Sequence, residues 1–144
     1  MKLRKFAERI SYIHPSLMKA FVSSRPKDIA KISLPQILIL EILLVKGKAI
    51  MSELANDLRI STAGTTGLAD RMIAAGYLKR YRSKEDRRLV YVEMTAKGRR
   101  TIEDIRARRL GLVEDLFKDI PEDERCVYLN VIEKIHQRLK QGDR

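Results

Sequence analysis

The sequence has a single cysteine, no tryptophan and only two histidines among its 144 residues. Because Cys126 stands alone, the chain can form no internal disulfide and no cysteine-rich metal cluster, which favours a reducing compartment. The histidines, His14 and His136, have no ligand partner at a helical spacing, so we expect no metal site. We expect Cys126 to be a partly buried, unreactive thiol.

Long apolar runs are also absent. The most apolar stretch, residues 32–45, contains Pro35, Gln36 and Glu41 and falls short of the roughly 20 residues of a membrane-spanning helix. Residues 1–9 repeatedly place charges where a signal peptide has a continuous apolar segment. We therefore expect a cytoplasmic protein that has no membrane segment and no export signal.

The motifs of common catalytic sites are missing as well. The chain has no glycine-rich phosphate loop, no nucleophile motif and no paired catalytic carboxylates. We therefore expect that the protein is not an enzyme and needs no cofactor.

Positive charge, by contrast, is in excess. Thirty Lys and Arg against 19 Asp and Glu give a formal net charge of +11. A field of this sign attracts polyanions such as nucleic acid. Composition alone leaves the alternative that the protein is simply basic.

Both ends of the chain have apolar residues at helical spacing, which predicts amphipathic helices. The first covers about 23 residues through Phe6, Ile10, Ile13, Leu17 and Phe21, and we expect it to be interrupted or reshaped near His14-Pro15. Two more helices are expected between Thr95 and Lys140, separated at Pro121. Their apolar stripes exceed what the small central part can cover, so we expect a homodimer intertwined through residues 1–33 and 101–144.

Residues 34–100 predict a winged helix-turn-helix within the same compact unit. Ser33 can cap an apolar helix, and residues 52–58 and 62–75 predict two short helices joined by a turn of three residues. Gly76 ends the second helix, and residues 77–82 and 89–94 form a hairpin around the tip 83–88. The predicted fold class is therefore mainly α, with a small β-hairpin wing and terminal helices that form a dimerisation domain.

The second helix of a helix-turn-helix lies in the major groove, and its first residues meet base edges. Small residues occupy this position here, and hydroxyl groups can bond bases or phosphates. Arg71, two turns further on, is placed for a phosphate. Thr62 can instead serve only as a helix cap, and we expect Thr65 to pack inward. The predicted DNA contacts of this helix are Ser61, Thr62, Ala63, Gly64, Thr66 and Arg71.

The hairpin tip concentrates charge, with Lys84, Arg87 and Arg88 in one loop. Asp86 stands two residues before Arg88, so its carboxylate can orient the guanidinium into the narrow minor groove, where the potential attracts arginine. We expect these four residues to contact DNA. The alternative is a solvated, charged turn.

The ordered motifs along residues 34–100 resemble the MarR family of winged-helix regulators. The resemblance implies a homodimer whose recognition helices enter successive major grooves of a pseudo-palindrome, with Asp86 and Arg88 as the wing-tip pair and Arg88 in the minor groove. Arg59 stands where the family often has glycine, and Thr65 replaces a branched aliphatic residue. The motifs that carry the resemblance are residues 54–61, 66–72, 76–78, 86–88 and 94–98.

Members of this family commonly respond to small molecules. The resemblance implies a repressor of transcription that responds to a small aromatic or phenolic effector, bound in a pocket that Tyr12 and His14 could line. Both residues are equally explained as core. Two other functions stay open: a winged-helix module for protein contacts, and an architectural protein that coats DNA without sequence preference.

Overall fold

The chain is mainly helical, with one small antiparallel sheet. The computed structural model describes residues 1–23 and 31–141, and the side chains of 1–20 and 31–141. The predicted inward position of Phe21 thus lies outside the described side chains. The elements are α1 (Leu3–Ser23), α2 (Leu34–Lys46), β1 (Lys48–Ile50), α3 (Met51–Leu58), α4 (Thr62–Ala74), β2 (Leu78–Arg82), β3 (Val90–Met94), α5 (Ala96–Phe117) and α6 (Glu122–Gln141).

The chain divides into two compact units, Met1–Arg108 and Arg109–Arg144. Helix α2 lies at the centre of the first unit, where Ile39, Leu40 and Leu43 are fully buried. This agrees with the apolar run that predicted a central helix. The fully buried residues packed in the same core include Ala49, Leu54, Ala69, Val92 and Ile102.

Helix α2 carries one acidic residue, Glu41, within its apolar sequence. The guanidinium of Arg106 on α5 donates two hydrogen bonds to Glu41 Oε2, from Nε at 2.9 Å and also from Nη2. Arg106 and Glu41 therefore connect the central helix to the first half of α5. Both bonds join a cation to a carboxylate oxygen, and such charge-assisted hydrogen bonds are stronger than neutral ones.

The sheet has three strands in the order β1-β3-β2, all antiparallel. Strands β2 and β3 are the predicted hairpin, and Tyr81 pairs with Tyr91 in its register. Strand β1 was not predicted from the sequence. It has three residues, and its extended backbone is defined by pairing with β3, in which Ala49 lies opposite Val92.

Helix α1 corrects one detail of the sequence prediction. The predicted interruption near His14-Pro15 is wrong, because the helix runs through Pro15 from Leu3 to Ser23. Proline removes one backbone donor from the helix, and this loss is tolerated here on an exposed helix. None of the described helices is both long and apolar enough to cross a membrane.

The apolar stripes of the terminal helices are exposed in the single chain. On α1, Phe6, Ile10 and Leu17 are 42–46% exposed. On α6 every residue is exposed, although Tyr128 contacts Phe117 with ring centroids 5.2 Å apart. Cys126 is also exposed, so the expectation of a partly buried thiol is wrong for the single chain.

Candidate nucleic-acid interface

Helices α3 and α4 are joined by the tight turn Arg59-Ile60-Ser61. Arg59 adopts the left-handed conformation at φ 56° and ψ 39°, a backbone that glycine adopts without strain and that explains why the family often has glycine here. The backbone N–H of Ile60 donates to Ala55 O at 3.2 Å, which closes the end of α3. Ser61 then caps α4, because its Oγ accepts from the N–H of Gly64 at 3.1 Å.

Thr65 is completely buried on the inner face of α4. Its hydroxyl donates to Ser61 O at 3.0 Å, so the polar atom is satisfied although it is removed from water. Thr65 is therefore a packing residue, as predicted.

The outer side of the first turns of α4 is exposed and built from small residues. The side chains of Ser61, Thr62 and Ala63 are exposed, and Thr66 is half-buried. Arg71 is exposed too, and a β-carbon added at Gly67 would lie 3.7 Å from its Nη1, so the guanidinium extends back along the helix. Each of the predicted residues of α4 is thus at least partly accessible, and the residues around its start are exposed.

The C-terminal end of α4 is tied to the start of α5. The Thr95 hydroxyl donates to Gly76 O at 2.6 Å, and Lys97 Nζ donates to Ala75 O at 2.7 Å, near the negative end of the α4 dipole. A β-carbon at Gly98 would lie 2.2 Å from Tyr77 O, so only glycine permits this approach. These contacts place α5 against the base of the wing.

One ion pair connects α4 to the wing. Arg80 Nη2 on β2 lies 2.7 Å from Asp70 Oδ1 on α4. Both side chains are partly exposed, so the pair contributes little stability, but it constrains the helix relative to the strand.

The wing tip is ordered by hydrogen bonds around Ser83, which is 6% exposed. Its Oγ accepts from the N–H groups of Glu85 and Asp86, each at 3.2 Å, and donates to Glu85 Oε2 at 2.7 Å. The hydrogen bond from Ser83 lowers the pKa of Glu85, because it stabilises the ionised carboxylate. The N–H of Ser83 donates to Leu89 O at 2.9 Å and closes the loop.

Asp86 acts differently from the sequence prediction. Its Oδ1 accepts from the backbone N–H of Arg88 at 2.9 Å, not from the guanidinium. The carboxylate therefore orients Arg88 through its backbone, as in an Asx turn. Lys84, Arg87 and Arg88 all remain exposed at the tip, so the three predicted cations lie together.

A cleft of about 590 Å³ lies between α4 and the wing. Thr66 is the one lining residue that the sequence predicted as a DNA contact, and Tyr81 and Arg82 are among those it missed. The density of charge in residues 79–88, where six basic residues accompany two acidic ones, was a signal for Arg82. The cleft is lined by Met51, Thr66, Arg80, Tyr81, Arg82 and Val90.

Tyr12 and His14 are not brought together. Both lie exposed on α1, where Tyr12 is 86% exposed, and residues two apart on a helix do not face each other. Among the described residues, no group of three or more His, Cys, Asp or Glu could hold a metal ion.

A helix-turn-helix with an exposed second helix, followed by a basic wing, defines a winged-helix DNA-binding protein. Comparison with known proteins gives the family. Residues 32–90 match the MarR family model. The HTH-type transcriptional regulator YfiV of Bacillus subtilis is 30% identical over 131 residues, which cover 85% of this chain and 82% of that protein. The chain belongs to the MarR family, whose members are transcriptional regulators rather than enzymes.

Solved structures agree with this assignment. A MarR family protein from Bacillus stearothermophilus superimposes with a TM-score of 0.82 and 26% identity, covering 97% of this chain and 99% of that one. FabT of Streptococcus pneumoniae, solved in complex with DNA, also has a TM-score of 0.82, at 20% identity and the same coverage. The second likeness shows that the fold is shared.

Proposed function

We propose that the chain is a homodimeric repressor that binds a pseudo-palindromic operator in a sequence-specific way. The observation that carries the proposal is the wing tip, where hydrogen bonds around Ser83 order a loop that presents Lys84, Arg87 and Arg88. A loop ordered before binding loses less conformational entropy when it meets DNA. The exposed start of α4 supplies the second contact surface.

In this proposal α4 enters the major groove by its N-terminal turns. Ser61, Thr62, Ala63, Gly64 and Thr66 face base edges, and their small side chains allow a close approach. Arg71 contacts a phosphate at the edge of the groove, where it positions the helix without reading sequence.

The wing contacts the neighbouring minor groove. Arg88 enters the groove, while Lys84 and Arg87 neutralise flanking phosphates and Asp86 holds the backbone of Arg88. The DNA strand between the two grooves passes along the cleft, where Arg82 and the Tyr81 hydroxyl are suited to its phosphates.

A second copy of the chain completes the molecule. Support comes from the apolar residues of α1 and α6 that are 42–65% exposed in the single chain. An exposed apolar surface of this extent is typical of an interface. Two-fold symmetry then pairs the two recognition helices with the two halves of the operator.

Control by a small aromatic or phenolic effector is the last part of the proposal. One regulator of this fold, BpsR of Bordetella bronchiseptica, has its DNA binding regulated by 6-hydroxynicotinic acid. An effector releases DNA only if it binds better to a dimer with wrongly spaced recognition helices. Tyr12 and His14 on α1 are its proposed contacts in the cytoplasmic dimer.

Selection of sites from a randomised duplex library at near-physiological salt tests the proposal. We expect enrichment of an inverted repeat whose half-sites lie about one helical turn apart. Binding that weakens steeply with salt but enriches no sequence would indicate an architectural protein. Failure to bind any duplex would favour a winged-helix module for protein contacts.

A further inference from the structure

The recognition helix α4 is poor in hydrogen-bond donors. Arg71 is its only side chain that carries an N–H group. The residues spaced three or four apart along its outer face are Ala63, Gly67, Asp70 and Ala74. Asp70 is an acceptor, and it is already paired with Arg80. This outer face therefore cannot donate the paired hydrogen bonds by which arginine or lysine reads guanine.

Thr66 and Arg71 are the polar residues on the two sides of this face, and the donor of Thr66 is occupied. The Thr66 hydroxyl donates to Thr62 O at 2.8 Å, one turn back along the helix. The oxygen can still accept a hydrogen bond, and the bond restricts the side chain to a rotamer that also fixes its γ-methyl group. Thr66 lines the cleft, and its side chain offers an acceptor and a methyl group but no free donor.

In the major groove, an A·T pair offers the groups that complement the acceptor and the methyl group of Thr66. Adenine offers its N6 amino group as a donor, and thymine offers a 5-methyl group. A G·C pair offers the cytosine amino group but no methyl group, and guanine presents only acceptors.

We infer that Thr66 reads a thymine of the operator half-site by contact between its γ-methyl group and the thymine 5-methyl group. This inference rests on the proposed function, because it requires α4 to lie in the major groove. It assigns to Thr66 a specificity role that does not depend on hydrogen-bond donation.

Replacing each thymine of one half-site by uracil removes single 5-methyl groups and tests the inference. The dissociation constant of the purified full-length protein is measured for each duplex, using an operator recovered by site selection. For the wild type we expect one position where uracil weakens binding about fourfold, the value of one buried methyl group.

Two variants of Thr66 separate the methyl group from the hydroxyl. Thr66→Val keeps a γ-methyl group and loses the hydroxyl, and we expect it to retain the difference in affinity between thymine and uracil, whatever its overall affinity for the operator. Thr66→Ser keeps the hydroxyl and loses the methyl group, so it should no longer distinguish thymine from uracil at that position. Thermal melting monitored by circular dichroism checks that both variants are folded.

The outcomes keep this inference distinct from the proposed function. A recovered operator that shows no uracil effect, or an effect that persists in Thr66→Ser, overturns the role of Thr66 and leaves the regulator intact. If only Thr66→Val fails to distinguish thymine from uracil, the hydroxyl rather than the methyl group reads the base, and the inference is overturned. If no operator is enriched, the proposed function fails and the inference fails with it.

Discussion

Arg88 is the side chain on which the wing contact depends most directly. Arg88→Ala should weaken operator binding by about 1–3 kcal/mol, because a guanidinium in the minor groove is lost. Fluorescence anisotropy at several salt concentrations measures the change. Arg100→Ala is the charge-matched control, since this exposed residue lies on α5 outside the recognition helix and the wing. If both variants lost the same affinity for the operator, Arg88 would contribute only nonspecific electrostatic attraction to DNA.

Ser83 should affect DNA binding indirectly, because its hydrogen bonds order the loop at the wing tip. Ser83→Ala removes a hydroxyl that accepts two backbone N–H groups and donates to Glu85. We expect faster amide exchange in residues 84–88 and binding weakened about fivefold, which corresponds to one net hydrogen bond. Unchanged exchange in these residues would contradict this account of the tip.

Glu85 provides a pH readout of the same hydrogen bond. Its pKa lies below the ordinary 4.5 because Ser83 donates to the ionised carboxylate. The resulting stabilisation is present above pH 4.5 and is lost as the pH falls through the lowered pKa. In Ser83→Ala, an NMR titration should show the Glu85 pKa rising towards its ordinary value. A pKa unchanged by the substitution would mean that another group lowers the pKa of Glu85.

Some residue roles could not be predicted from the sequence because they depend on turn geometry. The cations of the tip were evident from their density along the chain. The hydrogen bonds of Ser83 and the backbone bond from Arg88 to Asp86 arise only once the chain has turned. Cys126 was misjudged because the general tendency of a free cysteine to be buried does not hold on a helix that the single chain leaves exposed.

At the scale of elements, Gly98 governs how α5 joins the base of the wing. Gly98→Ala places a β-carbon 2.2 Å from Tyr77 O, which is backbone and cannot yield cheaply. We expect destabilisation of roughly 1–3 kcal/mol, the usual cost of overpacking. Gly111→Ala is the control on the same helix, because nothing lies within 4 Å of its added β-carbon. This variant should be unchanged or slightly more stable. Urea denaturation that ranks the two variants equally would argue against a steric role for Gly98.

Helices and strands were predictable where they are long or where their own residues mark their ends. The turn 59–61 and Gly76 indicated the helix-turn-helix, and the β-branched and aromatic residues of 77–82 and 89–94 indicated the hairpin. Strand β1 escaped prediction because Lys48-Ala49-Ile50 has no pattern of its own, and its conformation depends on β3, more than 40 residues away. Pro15 predicted a break in α1, but the loss of one donor did not end the helix.

At the scale of the whole molecule, the proposed dimer requires the apolar stripe of α6 to be covered. Ile135, which is 49% exposed, lies on this stripe, and Gln137 lies on the opposite side of the helix, two residues further on. Ile135→Arg should disrupt the dimer, because a buried and unpaired charge is costly. Gln137→Arg adds the same charge to the polar side and should leave the dimer intact.

Sedimentation velocity measures this difference directly, and operator binding gives it a functional readout. A monomer can hold only one half-site, so Ile135→Arg should bind the full operator much more weakly while its affinity for an isolated half-site stays near that of wild type. The wild-type melting temperature should also rise with protein concentration, since association stabilises only the folded chain. A wild type that sediments as a monomer at micromolar concentration would show that the exposed stripes serve another partner. If Gln137→Arg dissociated as fully as Ile135→Arg, added charge rather than apolar contact would explain the loss.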